Sequence, residues 1–174
     1  ERGFVTESKE IIHLAKLYLF EDVPVKAAAL LNRALQNGQI ERSEENFRLL
    51  AECWYKSQEV DEAKDAFKNA GQLADTGEHD LYRAQMHLDS EEYREAVSAL
   101  ETALEKGVEQ QANAIMMLAM AHFQLGQFDE ALQTLEQAAD YPKIADQSKQ
   151  WISFIEEEKQ RRKEYAQLQT EDGE

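Results

Sequence analysis

The sequence predicts an all-α solenoid of four stacked helix pairs closed by a further C-terminal helix. Three observations predict it. Alanine, a large apolar residue four later and alanine three after that recur in phase: Ala27, Leu31 and Ala34; Ala63, Phe67 and Ala70; Ala96, Leu100 and Ala103; Ala131, Leu135 and Ala138. The first alanines of these sets lie 36, 33 and 35 residues apart, and twelve residues ahead of each stands Ala15, Ala51, Ala84 or Ala119. Such self-similarity marks supersecondary units that stack on one another. The composition favours helix, with only 2 prolines and 7 glycines, and no strand candidate of useful length. Turn and cap residues also fall between the periodic stretches.

The elements follow in order. Residues 1–7 stand as a leader, and 8–143 hold the four pairs, about 8–41, 44–77, 77–110 and 112–145. Helices are expected at about 8–20, 24–37, 44–57, 61–74, 78–88, 92–106, 110–124, 128–139 and 144–168. Pro24 suits a first helical turn, and Asn37-Gly38 a helix end. Ser43 before Glu44 and Glu45 suits an N-cap with acids in the first turn, and Ser90 before Glu91 and Glu92 repeats the arrangement. Asp61 is a further cap or first-turn acid, and Gly107 and Gly126 mark turns. In the third pair Asp80, Arg83 and His87 occupy places where large apolar residues are expected. Either the helix keeps that phase, or it slips by one residue and Leu81 and Leu88 take the core places. Both registers stay open at this level.

The last stretch, 144–169, carries Ile144, Ser148, Trp151 and Ile155 at helical spacing, an apolar stripe suited to covering the open end of the final pair. Beyond Glu156 the helix is charged throughout, with Glu157–Arg161 and Glu158–Arg162 as pairs four apart. Residues 170–174 are expected to be disordered.

Spacing and residues together resemble the tetratricopeptide repeat family, whose unit of about 34 residues carries Trp-x2-Leu-Gly-x2-Tyr, then Ala-x3-Phe, then Pro. The fourth pair matches it with Leu118, Ala119, His122, Gly126, Phe128, Ala131, Leu135 and Ala138. The first offers Leu14, Ala15, Tyr18, Ala27, Leu31 and Ala34, and the second Leu50, Ala51, Trp54, Ala63, Phe67 and Ala70. The resemblance covers residues 8–145. It implies a right-handed superhelix whose first helices line a concave face, and a scaffold that binds protein segments there.

On that reading the groove residues are Ile12, Lys16, Leu19 and Phe20 in the first pair. The second contributes Arg48, Glu52, Tyr55 and Lys56. The third contributes Leu81, Gln85 and Leu88, or Tyr82 and Met86 in the slipped register. Met116, Met120, Phe123 and Gln124 complete the set. Some family members grip a C-terminal carboxylate with Lys and Asn, Asn, and Lys and Arg from three successive units. The matching positions hold Ile12, Lys16, Glu52, Leu81 and Gln85, so that clamp is not implied. The expected partner is an extended or amphipathic helical protein segment. Self-association through the apolar faces, or service as the non-catalytic arm of a larger protein, are the alternatives. The segment Gln150–Glu156 resembles the end of bacterial tetratricopeptide proteins encoded beside TonB systems, which implies an envelope protein in the periplasm.

Charge narrows the partners. With 35 acids against 19 bases the formal charge is −16, a surface that repels phosphate backbones and anionic lipids. No apolar run is long enough to span a bilayer. The chain begins at Glu1 and reads as a mature product or an excised domain. Cys53 is the only cysteine, expected as an inert core thiol. The four histidines show no zinc-ligand spacing, and no nucleotide loop, EF-hand loop or nucleophile motif occurs. No catalytic residue, cofactor or metal is therefore expected. His87 and His122 fall at equivalent places and are expected to pack.

Overall fold

The computed structural model describes residues 2–138 and 141–171. Among the described residues there are nine α-helices and no strand. They are α1 (Arg2–Phe20), α2 (Pro24–Gln36), α3 (Glu44–Lys56), α4 (Val60–Leu73), α5 (Glu78–Asp89), α6 (Tyr93–Lys106), α7 (Gln111–Gln124), α8 (Phe128–Ala138) and α9 (Ala145–Glu171). Each helix packs mainly on its sequence neighbours, the arrangement of a solenoid in which every unit meets only adjacent units. The in-phase alanines explain the close approach. Ala15, Ala27, Ala51, Ala63, Ala84, Ala96, Ala103 and Ala131 are buried completely. Leu31, Leu100 and Leu135 fill the spaces between them as ridges fill grooves.

Two expected boundaries change. The segment 1–7 is helical from Arg2 onward, so α1 is longer than the other first helices. At the other end α9 continues to Glu171, into the stretch expected to be disordered, while 172–174 lie outside the described residues, as do 139–140. Ser43 caps α3 as expected, its side chain accepting the Asn46 amide at 3.3 Å. Ser90 does not cap a helix N-terminus. It ends α5, and α6 starts only at Tyr93, because Glu91 adopts φ 58° and turns the chain between them. Asp61 lies in the first turn of α4, where it pairs with Lys64.

The third pair keeps the phase of the others. Ala84 is completely buried like its counterparts, and Asp80, only 3% exposed, stays at the core position held by Phe47 and Ile115 elsewhere. A buried carboxylate there is tolerable because cations meet it. Arg83 Nη2 donates to Asp80 Oδ1 at 3.0 Å and Lys106 Nζ to Asp80 Oδ2 at 2.8 Å. Lys106 also donates to the Gly71 carbonyl at 2.6 Å, which accepts the Ala74 amide as well at 3.2 Å near the end of α4. Leu81 and Leu88 nonetheless pack sideways, against a cluster of Ala84, Leu100, Ala114 and Leu118.

The apolar core falls into three clusters, over α1–α4 with Met86 of α5, over α5–α7, and over α7–α9. Where the first two meet, Phe67 stacks on His79 and Tyr82, and polar bridges add to the join. Lys64 Nζ donates to Glu92 Oε2 at 2.7 Å and pairs with Asp61 at 2.8 Å, and His79 Nε2 lies 2.8 Å from Glu44 Oε1. Within the third pair, the Gly77 amide ahead of α5 donates to the Gly107 carbonyl at the end of α6 at 2.9 Å.

Candidate protein-binding groove

The first helix of each pair supplies the groove, and the residues at repeat-equivalent positions divide by exposure. Ile12, Leu19, Leu81, Leu88, Met116 and Phe123 are half-buried, while Lys16, Phe20, Tyr55, Lys56, Gln85 and Met120 are exposed. A helix can turn only part of its circumference to its neighbours, so each first helix leaves one stripe uncovered.

That stripe deepens into a recess of about 450 Å³ between α3 and α5. Buried Phe67 and Met86 line it from below, and Tyr55 and Tyr82, 52% and 53% exposed, stand as walls. Tyr82 stacks on Phe67 with ring centroids 5.6 Å apart and planes at 29°, which fixes its position. Arg48, Glu52, Lys56, Gln85 and Asp89 form the rim, with Arg48 and Glu52 paired to each other. The structure thus brings the whole α3 group to one site together with Gln85. Leu81 and Leu88 do not join it, since they pack against α6 and α7, and Tyr82 and Met86 take their places. Phe67 and Asp89 were missed by the sequence reading. Phe67 lies on a second helix, and Asp89 follows a residue assigned as the helix end.

The two ends of the groove differ. Phe20 is 84% exposed at the first pair, beside exposed Lys16. At the fourth pair, Phe123 is engaged by the chain's own α9. It meets Phe128 at 5.7 Å, Trp151 at 6.2 Å and Phe154 at 5.5 Å between centroids. Met116 likewise packs on this cluster, so both belong to the cap and not to an open surface. Met120 stays 42% exposed beside a smaller cleft of about 190 Å³ that Trp151 and Ile144 help to line.

The titratable groups serve structure. Burial, then the neighbouring Glu52 charge, pushes the Cys53 thiol up to about 12, so it stays protonated and unreactive at neutral pH. His87 Nδ1 lies 2.6 Å from Glu92 and His122 Nδ1 lies 2.8 Å from Gln127, so these equivalent histidines brace the turn inside their pairs. Among the described residues, no group of three or more His, Cys, Asp or Glu side chains could hold a metal ion. None of the described helices is long and apolar enough to cross a membrane.

Comparisons with known proteins agree with this geometry. Residues 82–148 match a family model described as tetratricopeptide repeat. No curated protein matches the chain in sequence. Among solved structures, MamA (residues 41 to the end) from Desulfovibrio magneticus RS-1 is 16% identical, with 95% of this chain and 92% of that one covered and a TM-score of 0.65. YrrB, described as a tetratricopeptide protein with an unusual peptide-binding site, is 18% identical over 90% and 84%, with a TM-score of 0.66. The TPR2B domain of yeast Sti1, solved as a complex with pHsp70, is 20% identical over 66% and 97%, with a TM-score of 0.54. The chain has the fold of tetratricopeptide-repeat proteins across its four helix pairs, and its residues 82–148 match that family's model.

Proposed function

We propose that this chain is a non-catalytic scaffold that holds a segment of another protein in its groove, with the recess between α3 and α5 as the anchoring point. One observation carries the reading: two tyrosines are half-exposed above an apolar floor, on rigid helices, in a concave site. Aromatic side chains exposed in a preformed pocket supply large contact area at low entropic cost, which is how binding hot spots are built. The peptide-binding site of YrrB and the pHsp70 complex of the Sti1 domain, both proteins of the same fold, support it at the level of fold. Selection from a displayed random-peptide library tests it. Enriched peptides should bind the chain and lose at least about tenfold in affinity on Tyr82→Ser, the effect of removing a hot-spot side chain. Peptides indifferent to Tyr82 and Tyr55 would refute the site.

Self-association has a separate observation in its favour. Leu14 and Leu17 are exposed on α1, although their counterparts in the second pair, Leu50 and Cys53, are buried against the preceding pair. A second copy could cover that face. Light scattering over a concentration series decides, since a mass that stays monomeric argues against it. An envelope role beside a TonB-type system rests on Gln150–Glu156, and in that segment Trp151 and Ile155 are accounted for by packing on α7 and α8.

A further inference from the structure

The recess joins two first helices at matching points of their repeats, so the groove can be followed row by row. One row of equivalent positions runs Phe20, Lys56, Asp89 and Gln124, and the next runs Lys16, Glu52, Gln85 and Met120. In the second row Glu52 is already neutralised by Arg48 on its own helix. In the first, Lys56 and Asp89 both line the recess, are both exposed, and their side chains make no ion pair or hydrogen bond among the described residues. They stand on different helices, one at the end of α3 and the other at the end of α5, and share the lining with Phe67 and Met86.

We propose that the recess recognises a short extended peptide in which an aromatic or long aliphatic side chain lies between one acidic and one basic residue. The inference rests on the recess being a peptide site and specifies what it selects. The apolar anchor fills the space between Tyr55 and Tyr82. The peptide's carboxylate meets Lys56 and its cation meets Asp89. Lys56 and Asp89 stand on two different helices and an extended chain advances about 3.3 Å per residue, so the peptide places its two charges a few positions apart, on either side of the anchor. Charge complementarity excludes the uniform alternatives. A wholly acidic segment meets Asp89 and the field of a −16 molecule, while a wholly basic one is attracted at long range but opposed by Lys56 at contact.

Fluorescence anisotropy with four labelled hexapeptides on the full chain tests this. The first carries glutamate, phenylalanine, glycine and lysine in that order between terminal serines. The second and third make both charges acidic or both basic, and the fourth replaces phenylalanine by serine. The mixed peptide should bind tightest, the uniform ones about twofold to fivefold weaker, as befits solvent-facing ion pairs, and the serine peptide at least about tenfold weaker. Lys56→Glu should move the preference to the doubly basic peptide and Asp89→Lys to the doubly acidic one. Both substitutions are at exposed helix ends, and helical circular dichroism checks that they fold; if either fails, the peptide series on the unaltered chain decides. Equal binding of the three phenylalanine peptides, with the serine peptide lost, overturns the charge selection while leaving the recess as the site. No binding by any phenylalanine peptide overturns both.

Discussion

At the scale of single residues, one position per pair governs the turn between its helices. Asp22, Gln58, Glu91 and Gly126 occupy equivalent places with φ of 56°, 64°, 58° and 72°. The amide that follows closes the turn in every case: Val23 donates to Tyr18, Glu59 to Trp54, Glu92 to His87 and Gln127 to His122, at 2.8–3.0 Å. This is the left-handed helix ending that glycine adopts without strain, and only the fourth pair has glycine. Left-handed backbone costs an ordinary residue about 1–2 kcal/mol, partly offset by the entropy glycine loses on folding. Asp22→Gly, Gln58→Gly and Glu91→Gly should therefore each stabilise the fold by roughly 0.5–1 kcal/mol. Being on separate turns they should nearly add, which urea midpoints of the single and triple variants would show; unchanged midpoints would mean that the turns carry no strain. The opposite holds at Gly77, where an added Cβ would lie 2.1 Å from the Ala103 carbonyl oxygen. Gly77→Ala should cost about 3 kcal/mol, at the upper end of overpacking effects, by the same measurement. The repeat made Gly126 readable as a turn, but it could not reveal that three other residue types share its backbone. That is why Ser90, followed by two acids, looked like a helix start.

At the scale of elements, the join between the second and third pairs is held by charge as well as by packing. Lys64 is only 6% exposed, yet it remains protonated. Burial works against its charge, but the hydrogen bonds to Asp61 and Glu92 outweigh that and raise its pKa above 10.5. Hydrogen bonds from Lys64 first, and His87 second, hold Glu92 below 4.5. A depressed carboxylate stabilises the fold above its unfolded pKa and stops doing so as pH falls through its folded value. A raised lysine stabilises below its unfolded pKa and stops as pH rises through its folded value. The bridge therefore contributes fully between about pH 5 and 10. Lys64→Met should cost about 1.5–3 kcal/mol at pH 7, the value of a hydrogen bond to a charged group. The deficit relative to the unaltered chain should shrink as pH falls below 4.5. A deficit independent of pH would assign the loss to packing. Asp80, Arg83 and His87 were visible in the sequence as polar intruders in an apolar pattern. Arg83 and His87 find local partners in Asp80 and Glu92, but the Lys106 that meets Asp80 was not visible, since it lies 26 residues away and nothing local ties them. Cys53 was legible as a core thiol on the helix that carries Leu49 and Leu50, four and three residues before it. Its thiol should resist iodoacetamide at pH 8 in the folded chain and react in urea.

At the scale of the whole molecule, periodicity told which side of each helix faces the groove but not which chain covers it. Met116 and Phe123 have the same phase as the groove positions Arg48 and Tyr55, and the difference arises only because α9 folds back over the last pair. The cap itself was readable from Ile144, Ser148, Trp151 and Ile155. Ser148 and Ile155 are completely or nearly completely buried, with the Ser148 hydroxyl donating to the Ile144 carbonyl at 2.9 Å. The charged half was read less well. Glu158 receives both Arg161 and Arg162, so the expected Glu157–Arg161 pair does not form, while Arg162 lies 5.0 Å from the Phe128 ring. The apolar part of α9 thus closes the core as far as Ile155, and its charged continuation still touches the last pair through Lys159 on Asp129 and Arg162 on Phe128. Ile155→Ala should cost about 2–5 kcal/mol, the range for truncating a large buried aliphatic side chain. A chain ending at Lys143 should melt well below the full chain and associate, since Leu135, Ala131 and Phe123 would face water. A chain ending at Lys163 keeps Trp151, Ile155, Glu158 and Arg162, and should match the full chain in thermal melting and in light scattering. If the shorter truncation stayed monomeric and equally stable, α9 would not be the cap, and Phe123 would return to the groove as a partner-facing residue.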